Sequence, residues 1–397
     1  MKSLQLLVIA CIASLVLFFA CQKHVDTQNP PQNPPGSASD VKVTATIQGR
    51  VTDPEGNPVM NATVTSGTDA VQTDVNGMFR FSGIQASKEF GFVKASKTGF
   101  FTGSRTFMTS TEGTNYVQIE LLKRENGSVI NSSGAVDILT ADDCRLHFED
   151  LAVVNVANNA VYTGDVRVYQ KWIDPTDSKL SGRMPGDLRG VDTANKVVGL
   201  KTYGMMAVEL EGTNGEKLQV APGKHITISM PIPAQLLGAA PNTIPLWYFN
   251  DTTGVWIEQG YATKQGSYYS GTVSHFTYWN CDFPSGIVYF HVNLKDQNNN
   301  PLAFTRLDVS NTDYNDTRTS YSDSAGAVEG WIPENTALSF TVTSLCGDPL
   351  FTQSQGPFTS DQDLGTFTVP VTPSNSLTVH GTVVDCSNTP VVNGFAS

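Results

Sequence analysis

The sequence predicts an all-β protein built from tandem β-sandwich domains. Apolar and polar residues alternate with a period of two over residues 41–52, which is typical of a strand with one buried face. Residues 53–58 follow as a turn, in which Pro54 and Gly56 supply the backbone angles that a tight turn requires. The 34 glycines and 21 prolines among 397 residues fit a chain of many short strands and turns.

A first unit is predicted over residues 41–125. It has a second turn at 73–77, which leads into the strand 78–81, and it closes with an alternating strand at 116–122. Its motifs resemble those of the carboxypeptidase regulatory-like domain, which implies a seven-stranded, transthyretin-like β-sandwich. The residues that carry the resemblance are Gly49 to Asp53, Gly56 to Pro58, and Thr73 to Phe79.

The same pattern recurs twice further along the chain. Asp296 to Pro301 repeats the spacing of Asp53 to Pro58, and Ser322 to Gly326 repeats Thr73 to Gly77, which predicts a second unit at 286–372. A third match, beginning at Val379, predicts the start of an incomplete repeat at 376–397. Two strands cannot bury a core, so we expect this last segment to be part of a longer array or to be unfolded.

A larger, different β-sandwich is predicted over residues 140–284. Hairpins and alternating strands fill this region, for example around the turn at 213–215. It resembles the β-sandwich of zonula occludens proteins, netrin receptors and ankyrins, and more closely the equivalent segment of the cartilage intermediate layer protein family. The residues that carry the resemblance are Tyr162 to Gly164, Met184 to Asp187, Gly204 and Met205, Pro245 to Trp247, Trp256, and His275 to Thr277.

His275-Phe276-Thr277 is the one short sequence with a candidate chemistry. It resembles the self-cleavage tripeptide of a death-domain protein with such sandwiches, of the autoproteolytic nucleoporin and of the GAIN domain. The resemblance implies that the Thr277 hydroxyl attacks the carbonyl of Phe276 while His275 takes the proton, after which water hydrolyses the ester. The alternative interpretation is a plain strand, with His275, Thr277 and Trp279 on one face.

The N-terminus predicts export and lipidation. Lys2 precedes an apolar run that ends at residue 20, and Leu17 to Cys21 resembles the lipobox of Bacteroidetes-type bacterial lipoproteins. The resemblance implies cleavage of residues 1–20 and a lipid on Cys21 that binds the membrane. An uncleaved anchor or an ordinary secretory signal would export the chain as well. The Pro-rich residues 21–40 predict a semi-stiff spacer.

Two further kinds of site are predicted in the central region. An exported chain can oxidise its cysteines, and a disulfide between Cys144 and Cys281 would join the two ends of this region, although other pairings remain open. The aromatic segment 247–279 either fills a core or grips a glycan or protein. The binding candidates within it are Trp247, Trp256, Tyr268 and Trp279.

Several function classes are disfavoured by composition and spacing. The net charge of −12 without a basic cluster argues against nucleic-acid binding. The six histidines show no metal-ligand spacing, and we find no nucleophile elbow or nucleotide-binding loop, so we expect no metal and no cofactor.

We therefore expect a non-enzymatic lipoprotein of the bacterial outer membrane that faces the periplasm or the cell surface. Its expected role is adhesion, carbohydrate binding or scaffolding, with a glycan or an envelope or extracellular protein as the partner. Two alternatives are a protein that cleaves itself once, between Phe276 and Thr277, and an accessory lipoprotein of an outer-membrane nutrient-uptake system.

Overall fold

The computed structural model describes residues 40–111, 113–125, 127–311, 316–344 and 347–371, together with 382, 384, 389 and 390. The predicted signal peptide, nearly all of the spacer and most of the third repeat lie outside the described residues. Cys21 lies outside them as well.

The first repeat is a sandwich of two sheets. Its first strand pairs antiparallel with the fourth and parallel with the seventh, and the other four strands form the second sheet in the order third, second, fifth, sixth. Ile47, Val51, Val64 and Val93 are fully buried between the sheets. The strands are β1 Lys42–Thr52, β2 Thr63–Ser66, β3 Asp69–Gln72, β4 Met78–Ser87, β5 Gly91–Ser96, β6 Gly103–Phe107 and β7 Thr114–Glu120.

The central sandwich is one continuous sheet of thirteen strands that folds over itself, since strands from both ends of the sheet share a single hydrophobic core. The strands are β8 Ser128–Asn131, β9 Val136–Leu139, β10 Arg145–Phe148, β11 Val153–Asn155, β12 Asp165–Ile173, β13 Arg189–Val191, β14 Val197–Gly212, β15 Lys217–Val220, β16 Ile226–Pro231, β17 Thr243–Asn250, β18 Val255–Gln265, β19 Tyr268–Val273 and β20 Tyr278–Ser285. Two short helices, α1 Leu180–Arg183 and α2 Ala234–Leu237, interrupt them.

The central sheet begins earlier than the predicted boundary at residue 140. Strand β8 pairs with β12, and β9 pairs with β10, so both belong to this sheet. The sequence prediction missed them because each has only four residues, too few for a clear alternation.

The second repeat has the same topology as the first, strand for strand. Its sheets have the orders β24-β21-β27 and β23-β22-β25-β26, which correspond to β4-β1-β7 and β3-β2-β5-β6. The strands are β21 Ile287–Asp296, β22 Arg306–Asn311, β23 Asp316–Tyr321, β24 Ala327–Pro333, β25 Leu338–Thr343, β26 Pro349–Gln355 and β27 Gln362–Val369. The structure thus confirms the predicted all-β fold of tandem sandwiches.

The turns that predicted the repeat are built alike in both copies. Asp53 accepts hydrogen bonds from the backbone N–H groups of residues 55 and 57, and Asp296 accepts them from those of residues 298 and 300. A buried side-chain hydroxyl also makes the same pair of hydrogen bonds in both copies. Thr73 donates to the carbonyl of Val59 (2.6 Å) and accepts from the N–H of Ala62 (2.8 Å). Ser322 does the same with Leu302 and Thr305.

One described bridge falls in the predicted third repeat. Val384 pairs with Pro390 at the same six-residue separation as the bridges Thr52 to Pro58 and Lys295 to Pro301. The predicted alignment of Pro390 with Pro58 agrees with this bridge.

The first repeat and the central sandwich share a hydrophobic core. Phe101 and Leu122 of the first repeat lie in one buried cluster with Trp247, Phe249 and Trp256 of the central sandwich. Burial of this much aromatic surface holds the two units together. The second repeat contacts both. Lys88 forms an ion pair with Glu329 (2.7 Å), and the backbone N–H of Thr319 donates to the hydroxyl of Ser181 (3.1 Å).

Candidate functional sites

The His275-Phe276-Thr277 segment lies in the loop between β19 and β20 and not within a strand. The alternative interpretation of a plain strand is therefore wrong. The backbone bends at residues 274, 275 and 277 before β20 begins, and the first five residues of β20 are all buried, without alternation.

The side-chain amide of Gln219 forms hydrogen bonds with both the backbone N–H and the backbone carbonyl of Phe276. Its Oε1 atom accepts from the N–H of Phe276 (2.6 Å), and its Nε2 atom donates to the Phe276 carbonyl (3.0 Å). The Phe276 ring is buried against Phe148. The carbonyl that self-cleavage would attack is thus both immobilised and polarised by a donor. Sequence reasoning missed Gln219, because it lies 57 residues away.

The proton acceptor and the hydroxyl nucleophile of the predicted reaction are engaged with other partners. His275 Nε2 is 3.0 Å from Gln259 Oε1, and its ring meets Tyr248 edge-on at a centroid distance of 4.7 Å. Burial lowers the pKa of His275 below its usual value of 6.5, which keeps the imidazole neutral. The Thr277 hydroxyl donates to the carbonyl of Tyr278 (3.0 Å).

Three of the four aromatic binding candidates are wrong. Trp247, Trp256 and Trp279 are at most 1% exposed, so none of them can contact a ligand from solvent. Their indole N–H groups donate to the carbonyls of Asp282, Asp187 and His275 respectively. Trp247 and Trp256 fill the core shared with the first repeat. The sequence prediction considered the central sandwich alone and therefore did not include this role.

Tyr268 is the one aromatic candidate that the structure leaves partly exposed. The Arg145 guanidinium stacks over its ring at 4.2 Å, and its hydroxyl donates to Asp143 (2.5 Å). Asp143 thus occupies the polar edge of the ring, and Arg145 occupies one of its faces. Tyr268 therefore offers a single aromatic face and no free cluster of rings.

The predicted disulfide is not formed in the structure. Cys144 and Cys281 are both buried free thiols in the core of the central sandwich. Burial raises the pKa of each thiol well above its usual value, so both are neutral and unreactive. Backbone pairing of β10 with β16 and of β20 with β14 already holds the two ends of the region.

A cleft that the sequence did not predict lies where the first repeat, the central sandwich and the second repeat meet. Its volume is about 790 Å³. Arg105 and Tyr116 line it from the first repeat, Lys201 from the central sandwich, and Arg306 and Trp331 from the second repeat. No local sequence signal marks it, because its walls come from three units that are distant in the chain.

Two of the arginines and two of the tyrosines that line this cleft lie near one another. The Tyr116 and Tyr321 rings meet edge-on at 5.3 Å across the boundary between the repeats. Burial raises the pKa of Tyr321 to about 12, although the nearby Arg306 and Arg105 charges oppose the rise. Burial also lowers the pKa of Arg105 to about 10, so the group remains cationic at neutral pH.

The described residues offer neither a metal-binding cluster nor a membrane-spanning helix. No group of three or more His, Cys, Asp and Glu side chains in this part of the chain is placed to hold a metal ion. Among the same residues, no helix has the length and apolar character needed to cross a bilayer.

No family model matches the chain. It is similar to human cartilage intermediate layer protein 2, at 30% identity over 112 residues, and to the mouse protein of that name, at 35% over 111 residues. These matches cover 28% and 27% of the chain, but only 9% of each relative. They support the predicted resemblance to that family over this stretch, and the chain spans about a tenth of the relatives' length.

Among solved structures, the major pilin subunit BcpA of Bacillus cereus aligns over 83% of this chain and all of its own. The identity is 12% and the TM-score is 0.17.

Proposed function

We propose that this protein is a non-enzymatic binding module of the cell envelope, in which three packed sandwiches present one cleft to a partner. The observation that carries the proposal is the cleft of about 790 Å³ at the junction of the three units. Concave sites with both apolar and polar walls are the usual places for ligands. The predicted role in adhesion, carbohydrate capture or scaffolding needs such a surface.

The charged groups around the cleft support binding rather than catalysis. Arg183 pairs with Glu120 (2.6 Å) and Arg189 pairs with Asp187 (2.6 Å), so each acid faces a permanent cation. A general acid or base must reach the reacting group with its carboxyl oxygens, and in these two acids guanidinium groups already engage them.

A binding screen tests this function directly. The chain from residue 21 onward, with Cys21→Ser to keep it soluble, would be applied to arrays of glycans, envelope proteins and extracellular matrix proteins. We expect saturable binding to at least one class. Absence of binding on all arrays, with the protein shown to be folded by its thermal unfolding transition, would refute the proposal.

We further propose that Cys21 carries the lipid that attaches this module to the outer membrane. The support is the apolar run of residues 4–20 followed by Cys21, and the Pro-rich spacer that would hold the sandwiches away from the bilayer. Metabolic labelling with a fatty acid, followed by membrane fractionation, should show label and membrane association for wild type. Cys21→Ser should lose both, and an unchanged fractionation would contradict the proposal.

Self-cleavage is a second candidate, and the Gln219 contact is the observation that favours it. The Gln219 Nε2 donor lies 3.0 Å from the Phe276 carbonyl oxygen, where negative charge would develop as the Thr277 oxygen attacks. His275 takes the proton of the Thr277 hydroxyl and passes it to the Thr277 nitrogen, the C–N bond breaks so that this nitrogen leaves as an amine, and water hydrolyses the resulting ester. The attack also requires the Thr277 hydroxyl to leave its bond to the Tyr278 carbonyl.

A denaturing gel tests this candidate. Wild type should give two fragments, Thr277→Ala should stay intact, and Gln219→Leu should cleave at least tenfold more slowly, because one oxyanion donor is lost. Thr272→Ala, at an exposed threonine of β19, is the matched control and should cleave like wild type. An intact wild-type band after prolonged incubation would exclude self-cleavage.

A further inference from the structure

The cleft holds more cationic charge than its own carboxylates neutralise. Three of its lining carboxylates are already paired, namely Glu120 with Arg183, Asp187 with Arg189, and Glu329 with Lys88. The fourth, Asp323, accepts a hydrogen bond from the Ser110 hydroxyl (2.6 Å). In a protein of net charge −12, a basic cleft is a local exception that selects for an anionic ligand.

Arg105 is the clearest part of this excess. Its Nη1 atom donates to the Gly186 carbonyl (2.9 Å), and its other donors reach the Gln118 carbonyl at 3.4 and 3.5 Å. Within the described part of the chain, these partners are neutral, and no carboxylate lies within ion-pair distance of Arg105. A partly buried guanidinium without an ion partner gains from a carboxylate that enters the cleft.

Arg306 faces the same place from the second repeat, and its orientation is fixed. Asp308 accepts two hydrogen bonds from Arg306 Nε, at 2.9 and 3.0 Å, and is itself held by the hydroxyls of Thr319 (2.6 Å) and Thr343 (3.2 Å). Arg306, Arg105 and Tyr321 all line the cleft, and both guanidinium charges act on the phenol of Tyr321.

The remaining walls combine aromatic rings with hydroxyl and amide groups. Tyr116, Tyr321 and Trp331 supply aromatic rings. Sugar rings present apolar C–H faces that stack on aromatic rings, and hydroxyls that bond to polar side chains. Asn115, Gln118, Ser181, Thr319 and Ser320 add further polar groups.

We propose that the cleft binds an acidic oligosaccharide, with the carboxylate of a uronic acid held between Arg105 and Arg306 and the sugar rings against Tyr116, Tyr321 and Trp331. This inference rests on the proposed function, since it assigns the ligand class of the same cleft. It adds that charge, and not sugar shape alone, determines binding.

Calorimetry with matched ligands tests the assignment. The probes are a tetramer of galacturonic acid, the same tetramer as its methyl ester, and a tetrapeptide of glutamate. We expect the acid tetramer to bind, the ester to bind at least tenfold more weakly, and the peptide to bind more weakly than the acid tetramer because it lacks ring faces. Affinity for the acid tetramer should also fall with added salt.

Variants locate the binding within the molecule. Arg306→Gln should weaken binding of the acid tetramer at least tenfold, since it removes charge-assisted hydrogen bonds. It should still fold, because Asp308 keeps its two hydroxyl donors. Arg306→Lys, which keeps the charge but loses the fork of donors, should be intermediate. Arg145→Gln is the matched control, because Arg145 stacks on Tyr268 and does not line the cleft.

Equal binding of the acid and its ester, or unchanged binding by a folded Arg306→Gln protein, would overturn the inference. Tighter binding of the glutamate peptide would assign the cleft to a protein partner instead. Failure of the acid tetramer to bind, with a positive result on the arrays, would refute the ligand class and leave the proposed function standing. Failure on both would refute the function itself.

Discussion

Substitution of Gly254 tests whether the first repeat and the central sandwich act as one rigid body. Gly254 has φ +77°, and a Cβ atom there would lie 2.4 Å from Cδ2 of Phe92 and 2.8 Å from the Thr106 hydroxyl oxygen. Phe92 packs in turn on Phe249, with ring centroids 6.1 Å apart. Gly254→Ala therefore adds atoms where the two units meet.

The expected cost has two parts. An L residue in a left-handed conformation costs about 1–2 kcal/mol, and overpacking of a filled contact costs about 1–3 kcal/mol. We therefore expect Gly254→Ala to lower the free energy of unfolding by about 2–5 kcal/mol. Gly260→Ala is the matched control, because its φ is +81° but no atom lies within 4 Å of the added Cβ. It should cost only the backbone part, about 1–2 kcal/mol.

The assay is urea unfolding followed by tryptophan emission, which reports on the shared core through Trp247 and Trp256. In a Phe92→Ala background, the extra cost of Gly254→Ala should fall by at least half, because its main contact is gone. If Gly254→Ala and Gly260→Ala cost the same within about 0.5 kcal/mol, the contact contributes nothing and the reasoning fails.

Three further predictions concern single sites. Thr73→Val and Ser322→Ala should each cost about 2–4 kcal/mol, because each leaves two buried backbone groups without a hydrogen bond. The pKa of His275 is lowered by burial in the folded state, so the folded protein binds fewer protons, and its stability should fall as the pH drops through 6.5. Peptide mapping without reduction should return Cys144 and Cys281 as separate free thiols.

The first two of these predictions have a control variant. Thr63→Val, on the exposed side of β2, should change urea stability by less than about 0.5 kcal/mol. His147→Gln, at an exposed histidine, should leave the loss of stability below pH 6.5 in place, whereas His275→Gln should reduce it. If His275→Gln loses as much stability below pH 6.5 as wild type does, burial of His275 is not the cause of that loss. A disulfide-linked Cys144–Cys281 peptide would contradict the structure.

The parts of the fold that the sequence predicted depend on neighbours in the chain. The carboxylate of Asp53 accepts hydrogen bonds from the backbone N–H groups two and four residues later in the chain. Asp296 makes the same two hydrogen bonds, and both turns are exposed to solvent. Such local hydrogen bonds are encoded within a few residues. Spacing alone therefore found both repeats and the all-β class.

The parts that could not be predicted depend on contacts between distant residues. Gly254 and Phe92 lie against each other in the fold but are more than 150 residues apart in the sequence. Trp247 and Trp256 were wrongly predicted to be candidates for ligand binding, because nothing in residues 247–256 indicates that another sandwich covers them. Gln219 and the cleft were missed on the same physical ground.

A ligand in the cleft should also stabilise the protein, because its two guanidinium contacts come from different repeats. Binding to the folded state alone adds about 2.7 kcal/mol at a ligand concentration 100 times Kd. We therefore expect the galacturonic acid tetramer to raise the unfolding temperature of wild type, and to raise that of Arg306→Gln much less. Gly260→Ala should keep the ligand-induced rise, since no atom lies within 4 Å of its added Cβ and Gly260 does not line the cleft. An equal rise for wild type and Arg306→Gln would show that the tetramer binds elsewhere, and Tyr268 with its single accessible face would then be the place to test.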